Sequence, residues 1–441
     1  MTREHPTGAA RLLRIFSTWR AALAAAVAVA VAVVVVVGSN ENAHHAEGSA
    51  GRPVTGPANL DVCVDFPSRA ECRQATAGGR SWRYTLHRPA RATKETVIVD
   101  FGGPGVPVLS DDYLSGFVTQ APQVFDRYNV IAVDEPWSTR AVDPACRQSL
   151  SEFASAIRST PTGPALRQAG ALRDTCDIQH GRWGFTPESY RQVIDAVGRK
   201  ENLSYVGFIG HSFGSMRLRY LQAGPMRRTL RWAALSRPYP VGVTGATLLT
   251  QRAEAMSTFL KSHMRAEPTV QSPRSGGASV TRFDALSAEV EIGYLAADGQ
   301  AQAAADIAAG NHDVTSRLSD QLWQRYGDGD MSPAYLAQLD ELCGAVRLEL
   351  PESYRNPADI LAAQLLPCSP DEKPDAARLS LGSTPLCVAA AAGDTVSPAV
   401  LVRAAFKDAS AKTVWVALRD RSHTGDSGID KCLTMLGQRS D

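Results

Sequence analysis

Hydrophobic and polar positions fall into two regimes along this chain. Short apolar runs end at polar or glycine-rich loops: "TVIVDFGG" from Thr96, "YNVIAVD" from Tyr128 and "LSYVGFIG" from Leu203. Runs of this length, apolar at consecutive positions, predict strands buried on both faces of a parallel sheet. Trp82 to Leu86 alternates as a strand, and two more strands are predicted near the C-terminus, in "PLCVAAAAGD" from Pro385 and "KTVWVALRD" from Lys412. Helical stretches separate these runs, so the pattern predicts an α/β protein with a mostly parallel sheet flanked by helices.

Between the two groups of strands, roughly Pro238 to Ser380 is rich in Ala, Gln, Leu, Glu and Asp and reads as an inserted helical lid, broken by "EPTVQSPRSGGAS". The N-terminus follows another rule. Arg3, Arg11, Arg14 and Arg20 precede an uncharged run from Ala21 to Val37 made of Ala, Val and one Leu. As a helix this run is about 25 Å long, which is the signature of an export signal or a membrane anchor. The polar stretch after it reads as a flexible tether. The expected organisation is therefore a signal or anchor over 1–37, a linker over 38–60, a core over 61–237, a lid over 238–380 and the rest of the core over 381–441.

Composition narrows the function classes. The 46 basic and 45 acidic residues, with no long block of one sign, exclude an electrostatic nucleic-acid partner. Export gives meaning to eight cysteines, because disulfides persist outside the cytosol. No two of them form a C-x-x-C pair, so zinc is not expected, and the acyl-enzyme chemistry read below calls for neither a metal nor an organic cofactor. Proximity pairs Cys63 with Cys72, Cys146 with Cys176, and Cys343 with Cys368. Cys387 and Cys432 stay open between a fourth bridge and buried thiols.

The candidate chemistry starts at Gly210-His211-Ser212-Phe213-Gly214, which fits G-x-S-x-G between an apolar run and a helix-forming stretch. Chance produces such a match in roughly a fifth of chains like this one, so its partners decide its meaning. A serine nucleophile needs a base, and the base needs a carboxylate that fixes its tautomer. In open α/β sheets these follow in the order Ser, Asp or Glu, His, on loops at the carboxyl ends of strands. His423, in the loop after "VWVAL", is the candidate base, and Asp394, in "VAAAAGDTVSP", is the candidate acid, with Asp420 a rival too near His423 to orient it. His211 is expected to support the turn, and His87, His180, His263 and His312 to be structural or surface residues. The oxyanion hole should combine the Phe213 amide with that of Gly103 in "VDFGGPG", where Gly102, Gly103 and Gly105 let backbone approach a ligand and Gly210 and Gly214 support the elbow.

Taken together, these motifs resemble the α/β-hydrolase fold and, within it, the secreted prolyl and tripeptidyl aminopeptidases. The carriers are "FGGPG", "VIAVD", "ESYRQVIDAVGRKENLSYVGFIGHSFGS", "LCGAV", "PCSP", "AAGDTVSP" and "SHTG". The resemblance implies a helical lid and an exported serine hydrolase that releases residues from peptide N-termini, with lid carboxylates that hold the substrate amine. It departs at "DEPWSTR", where the family has an Arg-Gly-x-Gly-x-Ser loop, and at "WAALSRPYP", which lacks the usual Asp-Gly. The expected partner is a peptide or a small ester, with membrane contact only through the N-terminal segment. A carboxylic ester hydrolase with the same triad and a non-catalytic binding protein on the same fold are the alternatives.

Overall fold

A computed structural model describes residues 70–106, 108–109, 113–158, 163–224, 229–243, 245–263, 280–326, 330–345, 353–369 and 377–438. The expected signal or anchor segment, the linker and Cys63 lie outside these residues. Among the described residues no helix is long and apolar enough to cross a membrane.

Each predicted apolar run is a strand of one eight-stranded sheet. Its members are β1 (Ala70–Ala77), β2 (Arg80–His87), β3 (Glu95–Asp100), β4 (Asn129–Val133), β5 (Ser204–His211), β6 (Trp232–Ser236), β7 (Leu386–Ala391) and β8 (Thr413–Leu418). They lie in the order β1-β2-β4-β3-β5-β6-β7-β8. β2 pairs antiparallel with both β1 and β4, and every other pairing is parallel. The central strands read as continuous apolar runs because both faces are covered. Val97, Val99 and Val130 point into one layer, while Ile98, Ile131 and Val133 point into the other.

The first layer includes α1 (Tyr113–Gln120) and α2 (Pro122–Arg127). The second includes α3 (Pro144–Ile157), α4 (Gly163–Cys176), α5 (Pro187–Glu201) and α6 (Gly214–Gln222). α5 shows how local sequence sets a boundary: the Thr186 side chain caps it in a box with Ser189, Pro187 opens it, and Asn202 closes it in the left-handed conformation. Between β6 and β7 the chain runs through α7 (Gly245–His263), α8 (Arg282–Ile292), α9 (Ala297–Ala308), α10 (His312–Leu322), α11 (Ala334–Leu342) and α12 (Pro357–Ala363), the inserted helical lid. α13 (Ala399–Phe406) and α14 (Ile429–Met435) complete the molecule. This strand order, with an antiparallel β2 and helices on both faces, is the α/β-hydrolase fold.

Three disulfides are described, as expected of a chain that matures in an oxidising compartment. Cys146–Cys176 joins α3 to α4, and Cys343–Cys368 ties the end of α11 to the segment after α12. Cys387–Cys432 closes the pair that proximity left open. It fastens β7 to α14, the two elements that bracket the Asp394 and His423 loops.

Candidate active site

Ser212 sits where β5 turns into α6, with its backbone held in the left-handed region at φ 47°. A non-glycine residue there costs on the order of 1–3 kcal/mol, so its surroundings must hold it. The Ser212 amide donates to the Ser236 carbonyl at 3.0 Å, and the Ser212 carbonyl accepts from the Tyr239 amide at 2.8 Å and from the Ser215 hydroxyl at 3.0 Å. The flanking glycines are required by space. A Cβ on Gly210 would lie 3.1 Å from the Gly214 carbonyl carbon, and one on Gly214 would lie 2.8 Å from the Asp100 carbonyl oxygen.

The turn presents Ser212 to His423, whose Nε2 lies 2.8 Å from the Ser212 Oγ. On the other side of the ring, His423 Nδ1 lies 2.9 Å from Asp394 Oδ2. Asp394 is fully buried, and its second oxygen accepts from the Val396 and Ser397 amides at 2.8 and 2.9 Å. Burial pushes its carboxyl up, but the His423 charge and hydrogen bond, the Ser397 amide and Arg237 outweigh this and hold it below the usual range. An ionised Asp394 only accepts, so the proton on His423 belongs on Nδ1 and Nε2 is free to accept from the Ser212 hydroxyl.

The rival Asp420 instead pairs with the fully buried Arg237 at 2.5 Å. Arg237 stands where the resemblance led one to expect an Asp-Gly, and it also reaches the Asp426 carbonyl, so it anchors the loop that carries His423. His211 packs against the His423 ring, with centroids 5.0 Å apart. Burial, followed by the charges of His423 and Arg237, pushes its pKa down to about 3, so it stays neutral as a packing residue. His87 is bound in β2 to the Phe125 carbonyl, and His180 is exposed beside Asp177. His312 opens α10, and His263 ends α7 with its side chain outside the described residues.

The loop after β3 explains which amide is available. Gly102, Gly103 and Gly105 all have positive φ. A Cβ on Gly102 would meet the His211 carbonyl oxygen at 2.4 Å and the Phe213 nitrogen at 2.9 Å, so this loop lies directly on the elbow. Two of its three glycine amides are taken by carboxylates: Gly102 donates to Asp100 at 2.9 Å and Gly105 to Glu135 at 2.7 Å. Pro104 has no N–H. The Gly103 and Phe213 amides remain, and neither donates to any group of the described residues.

One buried cation holds this loop. Arg217 on α6 reaches the Gly102 carbonyl at 3.1 Å, Asp100 at 3.2 Å, Glu341 of α11 at 2.8 Å and Glu135, and its guanidinium stacks on Phe185. Three carboxylates around one guanidinium cannot all be ionised without a large desolvation cost. Burial, against the pull of Arg217, pushes Glu135 up and Glu341 up to about 8, so the cluster keeps a proton at neutral pH. Sequence reasoning missed this cluster. Its signals were an arginine at a buried position just after the elbow and an acid in "DEPW", where the resembled family has Arg-Gly.

The lid meets the site at the end of α8. The Tyr294 ring packs edge-on against His423 at 5.8 Å, and Thr424 donates to the Tyr294 carbonyl. One turn earlier, Glu291 is surrounded by protein yet keeps part of its surface accessible. Its carboxyl has no hydrogen-bond or ion-pair partner among the described residues, and burial alone pushes it up to about 8. Among the described residues no group of three or more His, Cys, Asp or Glu side chains could hold a metal.

The sequence matches no protein-family model and no curated protein sequence. Solved structures similar to it include an esterase from Thermogutta terrifontis, at 12% identity over 83% of this chain and 97% of that one, with a TM-score of 0.40. A proline iminopeptidase from Mycobacterium smegmatis shows 13% identity over 83% and 95%, with a TM-score of 0.40. An enol-lactonase from Burkholderia xenovorans shows 13% identity over 83% and 97%, with a TM-score of 0.39. Likeness at this level bears on neither substrate nor mechanism, and the fold rests on the strand order and connections given above.

Proposed function

We propose that this chain is an exported serine hydrolase that releases residues from peptide N-termini through an acyl-enzyme. The observation that carries the hydrolase reading is the continuous line from Ser212 Oγ through His423 to Asp394, at 2.8 and 2.9 Å, beside two undonated amides. In this reading Ser212 Oγ attacks the scissile carbonyl carbon while His423 Nε2 takes its proton. The Phe213 and Gly103 amides stabilise the oxyanion where water is excluded. His423 then gives the proton to the leaving amine as the carbon–nitrogen bond breaks. A water, deprotonated by the same nitrogen, hydrolyses the acyl-enzyme and restores Ser212. Asp394 keeps His423 in the productive tautomer and stabilises its positive form.

Glu291 supports the peptidase choice. It is an unpaired, enclosed carboxylate on the element that packs against His423, and a substrate ammonium would supply the partner it lacks. The apolar lining of a cavity formed by lid residues and Tyr239, with Leu248, Leu342, Leu361 and Leu365 among them, favours the second reading, a carboxylic ester hydrolase.

Fluorophosphonate labelling of the folded protein, compared with Ser212→Ala, tests the nucleophile: labelling should vanish in the variant. Aminoacyl and tripeptidyl anilides assayed beside short acyl esters divide the two readings. Ester turnover without any anilide turnover removes the peptidase.

A further inference from the structure

The same cavity also has polar groups in its lining, whose chemistry differs from that of Glu291. Its walls come from the segment after β6, from α7, and from α11 and α12. It adjoins the site on two sides. The Tyr239 amide donates to the Ser212 carbonyl and the Tyr239 ring packs on Phe213 at 5.1 Å, so this residue ties the cavity to the elbow. Arg252 Nη2 donates to the Tyr294 hydroxyl at 3.1 Å, and the Tyr294 ring rests on His423.

Two donors here lack acceptors among the described residues. Among the described residues Arg252 has no carboxylate partner, the Tyr294 hydroxyl is its only hydrogen-bond partner, and its Nε is buried and unbonded. The Tyr239 hydroxyl, close enough to feel the Arg252 charge, is also buried and unbonded. The remaining polar lining is two neutral amides, Gln338 and Gln364. Buried donors in folded proteins are almost always satisfied, so a pair left open beside one cavity points to an acceptor that arrives from outside. Arginine's planar fork matches a carboxylate with two parallel hydrogen bonds, and the leucines on the other walls match an aliphatic segment.

We propose that this cavity is a substrate subsite in which Arg252 and the Tyr239 hydroxyl receive a carboxylate of the substrate while the leucines cover the aliphatic part that bears it. The proposal rests on the serine hydrolase reading and narrows it: the substrate is an anion at the end away from the scissile bond. The carboxylate has two possible sources, the C-terminus of a short peptide or the far end of an acyl chain.

Two matched pairs separate these sources. Alanyl-leucine is compared with alanyl-leucinamide, and the p-nitrophenyl monoester of adipic acid with its methyl ester. In one pair the free acid should win by about tenfold or more in kcat/KM, chiefly through KM, as a charge-assisted pair requires. Arg252→Met should bring that ratio to about one, and Arg252→Lys should keep part of it. A ratio near one for both pairs in the unmodified protein overturns the subsite, as does a ratio that survives in Arg252→Met of unchanged melting temperature. If no substrate turns over, the hydrolase reading has failed by itself, and calorimetric titration of the Ser212→Ala protein with adipate and with adipamide still decides the subsite. Adipate binding that disappears on adding Arg252→Met upholds it, and equal or absent binding of the two ligands refutes it.

Discussion

Two arginines near the elbow live under opposite conditions. Arg217 is buried in α6 with its donors spent on Asp100, Glu135, Glu341 and the Gly102 carbonyl, whereas Arg252 on α7 has a phenol as its partner and a bare Nε. The first is surrounded by more negative charge than it can neutralise, and the second pairs with no carboxylate of the described residues. The difference teaches how to read polar groups near a site. Where partners come from within the chain, the group is scaffold, and here it pins the glycine loop so that the Gly103 amide is left over. Where a group finds no partner among the described residues, as for the Arg252 Nε, the Glu291 carboxyl and the Tyr239 hydroxyl, the structure bears a standing cost that a ligand would remove.

The sharpest way to break this comparison is to remove each cation in turn. Arg217→Met should cost about 3–5 kcal/mol in denaturant unfolding, because it strands buried carboxylates. Arg252→Met should cost less than about 1 kcal/mol, in the range of sites without a specific partner. Equal losses would erase the distinction. A slightly smaller effect follows from the close approach of the loop to the elbow. Gly102→Ala places a methyl against the His211 carbonyl at a positive φ and should lower stability by about 1–3 kcal/mol in the same assay.

Titration sharpens the contrast from the side of pH. Glu341, raised from 4.5 to about 8, binds a proton in the folded chain that the unfolded chain has released, so stability should fall as pH rises through that window. Glu341→Gln should flatten the fall in pH-dependent unfolding. His211 has the opposite sign. Its folded pKa near 3 lies below the ordinary 6.5, so stability should fall as pH drops between those values, and His211→Asn should weaken that loss. The smallest effect belongs to the lid. Glu291→Gln should leave the melting temperature unchanged or raise it slightly, since an enclosed carboxylate without a partner contributes no favourable pairing.

Legibility in the sequence follows the range of the interactions. β3, β4 and β5 stand out because burial on both faces makes each a continuous apolar run, whereas β8, at the sheet edge, buries Val416 and Leu418 and is legible from its β-branched and aromatic residues. β1 does not, because as an edge strand it buries Ala75 and Ala77 and leaves much of "AECRQATA" exposed. β6, the five residues "WAALS", is short and alanine-rich and escapes propensity for that reason. Ser212, Asp394 and His423 could be named in advance because each lies on a loop directly after a recognisable strand. Asp100, Glu135 and Glu341 lie 117, 82 and 124 residues from Arg217, and no periodicity links them.

By itself, then, the sequence determined the layers, the helical insertion, the glycine turns and the chain order of the candidate serine, acid and histidine. These are local matters of burial pattern, backbone freedom and position after a strand. The tertiary structure alone decided which loop amide stays undonated, that Asp420 turns to Arg237 rather than His423, that Cys387 meets Cys432, and that Arg252 lines a cavity to which the described residues bring no carboxylate. The physical reason is that hydrogen-bond pairing and charge balance depend on which distant segments share a buried space, and packing the chain settles that.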